Sequence, residues 1–278
     1  MRWYEKKAFI LCILCTNILF GSLLNEADKA YEKGDFNTAV KKLSQACDKG
    51  EATGCHNLAL MYLNGDGVEQ NINEGMKMFQ RACDKNIYHS CLNLGVLYEQ
   101  GAIGEKNYFK AFENYKKACD AGVLSACNSL AFFYENGLGT RQNINEATKI
   151  YENICTSEGG NACINLAKIN IANKDEKKGI ELYTKSCDDN NSQSCYELYQ
   201  IYATSSTVNK DIKKVTEFLE KACYGGMSQA CRELGVLFTE DKILDQNLSM
   251  AKEYFGKACD LQDMKGCESY KVLNENGF

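Results

Sequence analysis

The feature that most constrains this chain is a pair of cysteines eight residues apart, repeated seven times. The pairs are Cys47/Cys55, Cys83/Cys91, Cys119/Cys127, Cys155/Cys163, Cys187/Cys195, Cys223/Cys231 and Cys259/Cys267. From one first cysteine to the next the step is 36 residues, shortened to 32 between Cys155 and Cys187. A fixed period of this length marks a helical solenoid, in which each unit packs only on its neighbours. Eight residues along a continuous helix would hold two Cα atoms about 12 Å apart, whereas a disulfide needs roughly 4.4–6.8 Å. The chain must therefore reverse between the cysteines of each pair, and "CDKGEATGC", with Gly50 and Gly54, has residues for such a turn. Each pair then staples the end of one hairpin's second helix to the start of the next hairpin's first helix. For so short a loop, chain entropy sets about 2–3 kcal/mol per bridge as an upper guide.

The apolar pattern inside each unit has a helical period. Three residues after the second cysteine stand Leu58, Leu94, Leu130, Leu166, Leu198 and Leu234. The next position is usually small (Ala59, Gly95, Ala131, Ala167, Gly235), and the seventh is aromatic in Tyr62, Tyr98, Tyr134, Tyr202 and Phe238. These offsets share one side of a helix, and the small residue lets a neighbouring helix approach. Breaker loops such as "NGDG" and "NGLG" follow, and then a second helix runs to the next first cysteine. The shortened fifth unit lacks the Gly-x-Gly loop and reads as a hairpin with a tighter turn. The expectation is an all-α, right-handed α/α solenoid of about seven hairpins over residues 23–278.

Residues 1–22 read differently. Arg2, Lys6 and Lys7 precede the apolar run from Ala8 to Phe20, and Gly21 and Ser22 are small residues suited to cleavage. The run is short for a membrane span, so it reads as a removed secretory signal carrying Cys12 and Cys15 away with it. Fourteen cysteines then remain in an exported chain, a disulfide framework in the periplasm or outside the cell. The formal charge of −5, and about −7 without the signal, argues against nucleic acid or an anionic membrane surface as partner.

"CLNLGVLYEQG" followed by "YFKAFENYKKACDAG" resembles the Sel1-like repeat, a relative of the tetratricopeptide repeat. Leu94, Gly95 and Tyr98 are similar to the L-G-x-x-Y core of the latter's first helix, and "EADKAYEKGDFNTAVKKLSQAC" is the most tetratricopeptide-like segment. With the cysteine spacing and the leader, the chain resembles the Helicobacter cysteine-rich proteins. That resemblance implies a secreted or periplasmic solenoid, penicillin binding or weak β-lactamase activity, and contact with host proteins.

The residues carry little of that chemistry in recognisable form. A serine β-lactamase uses S-x-x-K, S-D-N and K-T-G elements. The only S-x-x-K is Ser249-Met250-Ala251-Lys252, with no S-D-N and no K-T-G, and Ser249 reads as a helix-start residue. Two histidines, His56 and His89, are too few for a catalytic zinc site, and both read as surface residues near helix starts. No metal and no cofactor are expected: there is no phosphate loop or dinucleotide fingerprint, and "GAIG" and "GLG" are repeat turns.

Solenoids bind along the face lined by the first helices. The core offsets leave the second, fifth and ninth positions after the second cysteine on the opposite side. The second is polar throughout (Asn57, Asn93, Ser129, Asn165, Glu197, Glu233, Ser269), the fifth includes Leu60, Val96 and Phe132, and the ninth begins Asn64, Gln100, Asn136. Asn57, Asn64, Asn93, Phe132 and Asn136 are thus candidate ligand contacts, an apolar stripe bordered by amides that can pair with peptide backbone or carboxylate. The alternative is that the second position is merely solvated and the fifth packs against a neighbouring helix, a reading favoured for the C-terminal half with Glu197 and Glu233. The expected partner is a β-lactam or peptidoglycan-like small ligand, a peptide or a host protein.

Overall fold

The computed structural model describes residues 22–157, 160–204, 212–240 and 246–278; the expected export signal and its two cysteines lie outside the described residues. Those residues form fifteen α-helices and no strand. They fall into two compact units, the first ending at Val123 and the second beginning at Leu124.

The first unit holds three hairpins: α1 (Ser22–Glu32) with α2 (Phe36–Asp48), α3 (Ala52–Asn64) with α4 (Ile72–Asp84), and α5 (Tyr88–Gln100) with α6 (Tyr108–Asp120). The second holds α7 (Leu124–Asn136) with α8 (Ile144–Ser157), α9 (Gly160–Ala172) with α10 (Glu176–Asp188), α11 (Ser192–Thr204) with α12 (Ile212–Tyr224), and α13 (Ser228–Thr239) with α14 (Leu248–Asp260), followed by α15 (Met264–Glu275).

Most second helices start on a side chain that ends one turn and begins another. Asp35, Asn71, Asn107, Asn143, Asp175 and Asn247 accept from the backbone N–H three residues on, at 3.0–3.1 Å. This is N-capping, which satisfies a donor that the helix itself cannot. The backbone N–H groups of Asn71, Asn107, Asn143 and Asn247 also donate to the Tyr62, Tyr98, Tyr134 and Phe238 carbonyls at 2.8–2.9 Å. The hairpin loop is thus held at both ends by one residue. In the short turns α1–α2 and α9–α10 the left-handed residue is Gly34 (φ 76°) or Lys174 (φ 66°).

Hairpins close on a large ring set against a small residue. Four residues before the first cysteine, Phe79, Tyr115, Tyr151 and Tyr183 are buried almost completely. A Cβ on Gly95 would stand 2.6 Å from the Tyr115 ring, and one on Gly235 2.6 Å from Phe255, so neither position admits a side chain without displacement. The six leucines at the third position after the second cysteine are likewise buried.

Between hairpins the chain turns back through a left-handed residue three places after the first cysteine: Gly50, Asn86, Gly122, Asn190, Gly226 and Gln262. Disulfides join Cys47 to Cys55, Cys83 to Cys91, Cys155 to Cys163, Cys187 to Cys195, Cys223 to Cys231 and Cys259 to Cys267, with Cα–Cα distances of 4.4–5.0 Å. Cys119 and Cys127 are also disulfide-bonded.

The position of the second cysteine corrects the sequence reading, which set it at the start of a helix with the whole intervening segment as the turn. Cys55, Cys91, Cys127, Cys163, Cys195, Cys231 and Cys267 each stand on the fourth residue of their helix, one turn inside α3, α5, α7, α9, α11, α13 and α15. The reversal is correspondingly tighter: between α2 and α3 only Lys49, Gly50 and Glu51 lie outside a helix. Gly54 is therefore no turn residue. It lies buried inside α3, where a Cβ would meet that of Ala46 at 2.7 Å. The same register holds Ser90, Ala126, Ala162, Ser194, Ala230 and Gly266, all small; Gly266 meets Ala258 as Gly54 meets Ala46, and Ser194 donates to Ser186 at 2.8 Å. That close approach is what brings two cysteines inside helices within bonding reach.

Candidate functional site

An apolar cleft in the first unit opens between α1 and α3, above α2. Its volume is about 50 Å³. Ala27 on α1, Leu43 on α2, and Leu60 and Met61 on α3 form an apolar floor, all buried. Tyr31 closes one side, held edge-on to Phe36 with ring centroids 5.1 Å apart. Asp28, Glu32 and Asp66 stand around the opening with Asn57 and Asn64. Burial, and then the charge of Glu32, raises the Asp28 carboxyl above its ordinary range. Cys47 and Cys55, the cysteines of these same helices, do not line the cleft; their bridge fixes α2 against α3.

One residue sets the floor of this cleft apart from most other copies of the repeat. Leu43 occupies the register that Tyr115, Tyr151 and Tyr183 fill in later hairpins. In two of those copies the hydroxyl reaches up to the first helix: Tyr115 donates to Glu99 and Tyr151 to Glu135, the latter at 3.1 Å. Burial and the Glu135 charge push the Tyr151 hydroxyl far above the ordinary phenol range, so it is a donor at any working pH. Leucine has neither the ring nor the hydroxyl, and Leu43 lines the cleft floor, whereas Leu219, in the same register on α12, is fully buried.

The five candidate contacts fall in different places. Asn57 and Asn64 both line the cleft, with Asn64 Nδ2 donating to Asp66 at 3.1 Å. Asn93 is half-buried on α5. In the second unit Phe132 is 43% exposed on α7, and Asn136 Nδ2 donates to the Phe132 carbonyl of its own helix at 2.8 Å. The fifth position is not uniform: Leu60 is 6% exposed and belongs to the cleft floor, whereas Val236 is 41% exposed. Glu233, read from sequence as solvated, is engaged between α11 and α13. Its Oε1 accepts from Tyr196 at 2.7 Å and Gln229 at 3.0 Å, and burial with that carboxylate pushes the Tyr196 hydroxyl up to about 12.

Of the remaining sequence motifs, Ser249 at a helix start and His89 at the surface stand as read, while the capping role of Ser249 and the surface placement of His56 do not. Ser249 does not cap α14. Asn247 does, and Ser249 is an exposed first-turn residue. Lys252 lies 5.6 Å from the Tyr270 ring centroid and donates to the Phe278 carbonyl. His89 is exposed, but His56 is half-buried, with Nδ1 2.7 Å from the Ser90 hydroxyl and its ring beside Phe79. Burial, and then the charge of His89, lowers the His56 pKa to about 4. Sequence reasoning missed α1 as part of the cleft. The signal available was Leu43, one of two leucines in a register otherwise aromatic.

The Sel1 repeat model matches residues 52–87, 89–123, 124–155, 162–191 and 228–263, more than half of the chain. The chain belongs to the Sel1 repeat family. A Helicobacter pylori protein named "Putative beta-lactamase HcpC" is 36% identical over 78 residues, which is 24% of this chain and 27% of that protein. The Sel1 chain here thus spans about a quarter of that relative's length. Among solved structures, a protective antigen of uropathogenic Escherichia coli superposes with a TM-score of 0.70 at 22% identity, covering 93% of this chain and 58% of that one. A Sel1 repeat protein from Oxalobacter formigenes does so at 0.71 and 18% identity, covering 86% and 97%. At those identities the two structures establish the Sel1 solenoid fold and nothing about ligands. No helix among the described residues is long and apolar enough to cross a membrane.

Proposed function

We propose that this Sel1 protein is an exported recognition module that takes a side chain of a partner polypeptide into the cleft between α1 and α3. The observation that carries the reading is the apolar cleft floored by Leu43, in a register where three other copies of the repeat carry a buried tyrosine. Such a cleft, apolar below and polar at its mouth, suits one inserted side chain with backbone amides at the rim. Export is supported by the disulfides, which persist in oxidising compartments.

A second reading, β-lactam binding or hydrolysis, is supported by the name of the Helicobacter relative. The cleft chemistry weighs against it, because penicillins and cephalosporins carry a carboxylate and Asp28, Glu32 and Asp66 surround the opening. Ser249 and Lys252 offer no alternative nucleophile site of the usual kind, since the lysine is occupied at α15.

The test is a selection from a random heptapeptide library on oxidised protein, with Leu43→Tyr as control. Tyrosine is tolerated in this register elsewhere, so the variant should fold with an unchanged helical circular-dichroism spectrum. Peptides enriched on the wild type and at least tenfold weaker on Leu43→Tyr support the reading. Equal affinity on both proteins refutes it. Turnover of a chromogenic cephalosporin that scales with protein would establish the second reading instead.

A further inference from the structure

We infer that the side chain accepted by the α1/α3 cleft is a lysine, an inference that rests on the polypeptide-recognition reading above. The cleft has two layers of different chemistry. Below lies the apolar floor around Leu43 and Leu60; at the mouth stand the carboxylates of Asp28, Glu32 and Asp66. About 10–15 Å³ suffices to hold one water, so about 50 Å³ takes on the order of four groups of that size. A lysine stem has that length.

Charge decides the head group. Three formal negative charges gather at one opening, and among the described residues no lysine or arginine is ion-paired with any of them. Lys42, on the helix below, is held instead by Glu26 of α1. The Asp28 carboxyl is disfavoured in its charged form by burial and by Glu32, and an arriving cation relieves that repulsion. Lysine buries its methylenes and keeps its ammonium at the water boundary, and the ammonium is a compact charge with three donors to distribute among surrounding oxygens. Asn64, already donating to Asp66, fixes one of those carboxylates in place. A neutral apolar side chain would satisfy the floor and leave the three charges as they are; an acidic one would be repelled.

The test uses four peptides, acetyl-Gly-Gly-X-Gly-Gly-amide with X lysine, norleucine, arginine or glutamate, titrated into oxidised protein and followed by amide chemical shifts. The expected order is lysine first, norleucine at least tenfold weaker, and glutamate without saturation. The lysine affinity should fall at least fivefold in Asp28→Asn/Glu32→Gln and between 50 and 500 mM salt, as exposed charges are screened. Norleucine equal to lysine, or arginine tenfold tighter than lysine, would overturn the lysine assignment while leaving a Leu43-dependent cleft intact. No peptide shifting the cleft amides at millimolar concentration, with none enriched from the library either, would overturn both readings.

Discussion

Acidification should loosen the contact between α3 and α5, and the cause is a single imidazole. His56 is packed beside Phe79, bonded to the fully buried Ser90, and held neutral by burial with a pKa of about 4. In the unfolded chain the same group titrates near its ordinary value of 6.5. The unfolded state therefore binds more protons between those two values, so stability falls as pH drops through that window and is flat on either side of it. A displacement from 6.5 to about 4 corresponds, at about 1.36 kcal/mol per unit, to about 3 kcal/mol. The ring keeps partial contact with solvent, which places the expected loss nearer 2 kcal/mol, about two-thirds of that figure. Repeat proteins open locally rather than all at once, so the assay is native-state hydrogen exchange of the α3 amides at pH 7 and pH 4, compared with His56→Gln. The wild type should lose protection relative to the variant by that amount. An imidazole that titrates in NMR between pH 6 and 7, or equal losses in both proteins, would refute the argument.

Three further outcomes follow from the same contacts. Gly95→Ala, placing a methyl group against the Tyr115 ring, should cost about 1–3 kcal/mol by overpacking, measured by urea denaturation. Lys174→Gly should stabilise the second unit by about 0.5–1 kcal/mol in the same assay, because a non-glycine residue in the left-handed region costs about 1–2 kcal/mol and glycine loses part of that gain to chain entropy. Asn107→Ala should cost about 1 kcal/mol by removing the cap that the Lys110 N–H requires, and Asn107→Asp should restore most of it.

How much of this is legible in the sequence depends on which positions face which neighbours. The cysteine spacing and the leucine register place the hairpins, because a period of 36 and a helical apolar stripe leave little choice once the chain must reverse between paired cysteines. The Asn and Asp caps are equally periodic in the sequence and still escape notice, since a lone amide before a helix is a weak signal until its backbone partner is seen. Ser249 looks like a cap for that reason, although the cap is two residues earlier. His56, Gly54 and the depth of Cys55 all follow from one fact that spacing does not carry, the close approach of successive helices. That approach buries the ring, excludes a Cβ, and lets Cys47 reach a cysteine one turn inside the next helix. Cys91, Cys163, Cys195, Cys231 and Cys267 repeat the arrangement, because each follows a small residue at the contact. The candidate ligand contacts rest on offset along the first helices alone. The cleft, however, depends on Leu43 from the second helix beneath and on Asp28 and Glu32 from the helix before, and no periodicity within one helix reveals that three helices leave a space between them.

The central claim, that recognition occurs between α1 and α3, is tested most directly by mapping where a bound lysine peptide perturbs the protein. Backbone amide shifts of the oxidised protein should move at Ala27 to Glu32 and at Asn57 to Asp66, saturate together, and stay still in Leu43→Tyr. Saturable shifts centred elsewhere, with the α1 and α3 amides unmoved, would contradict it.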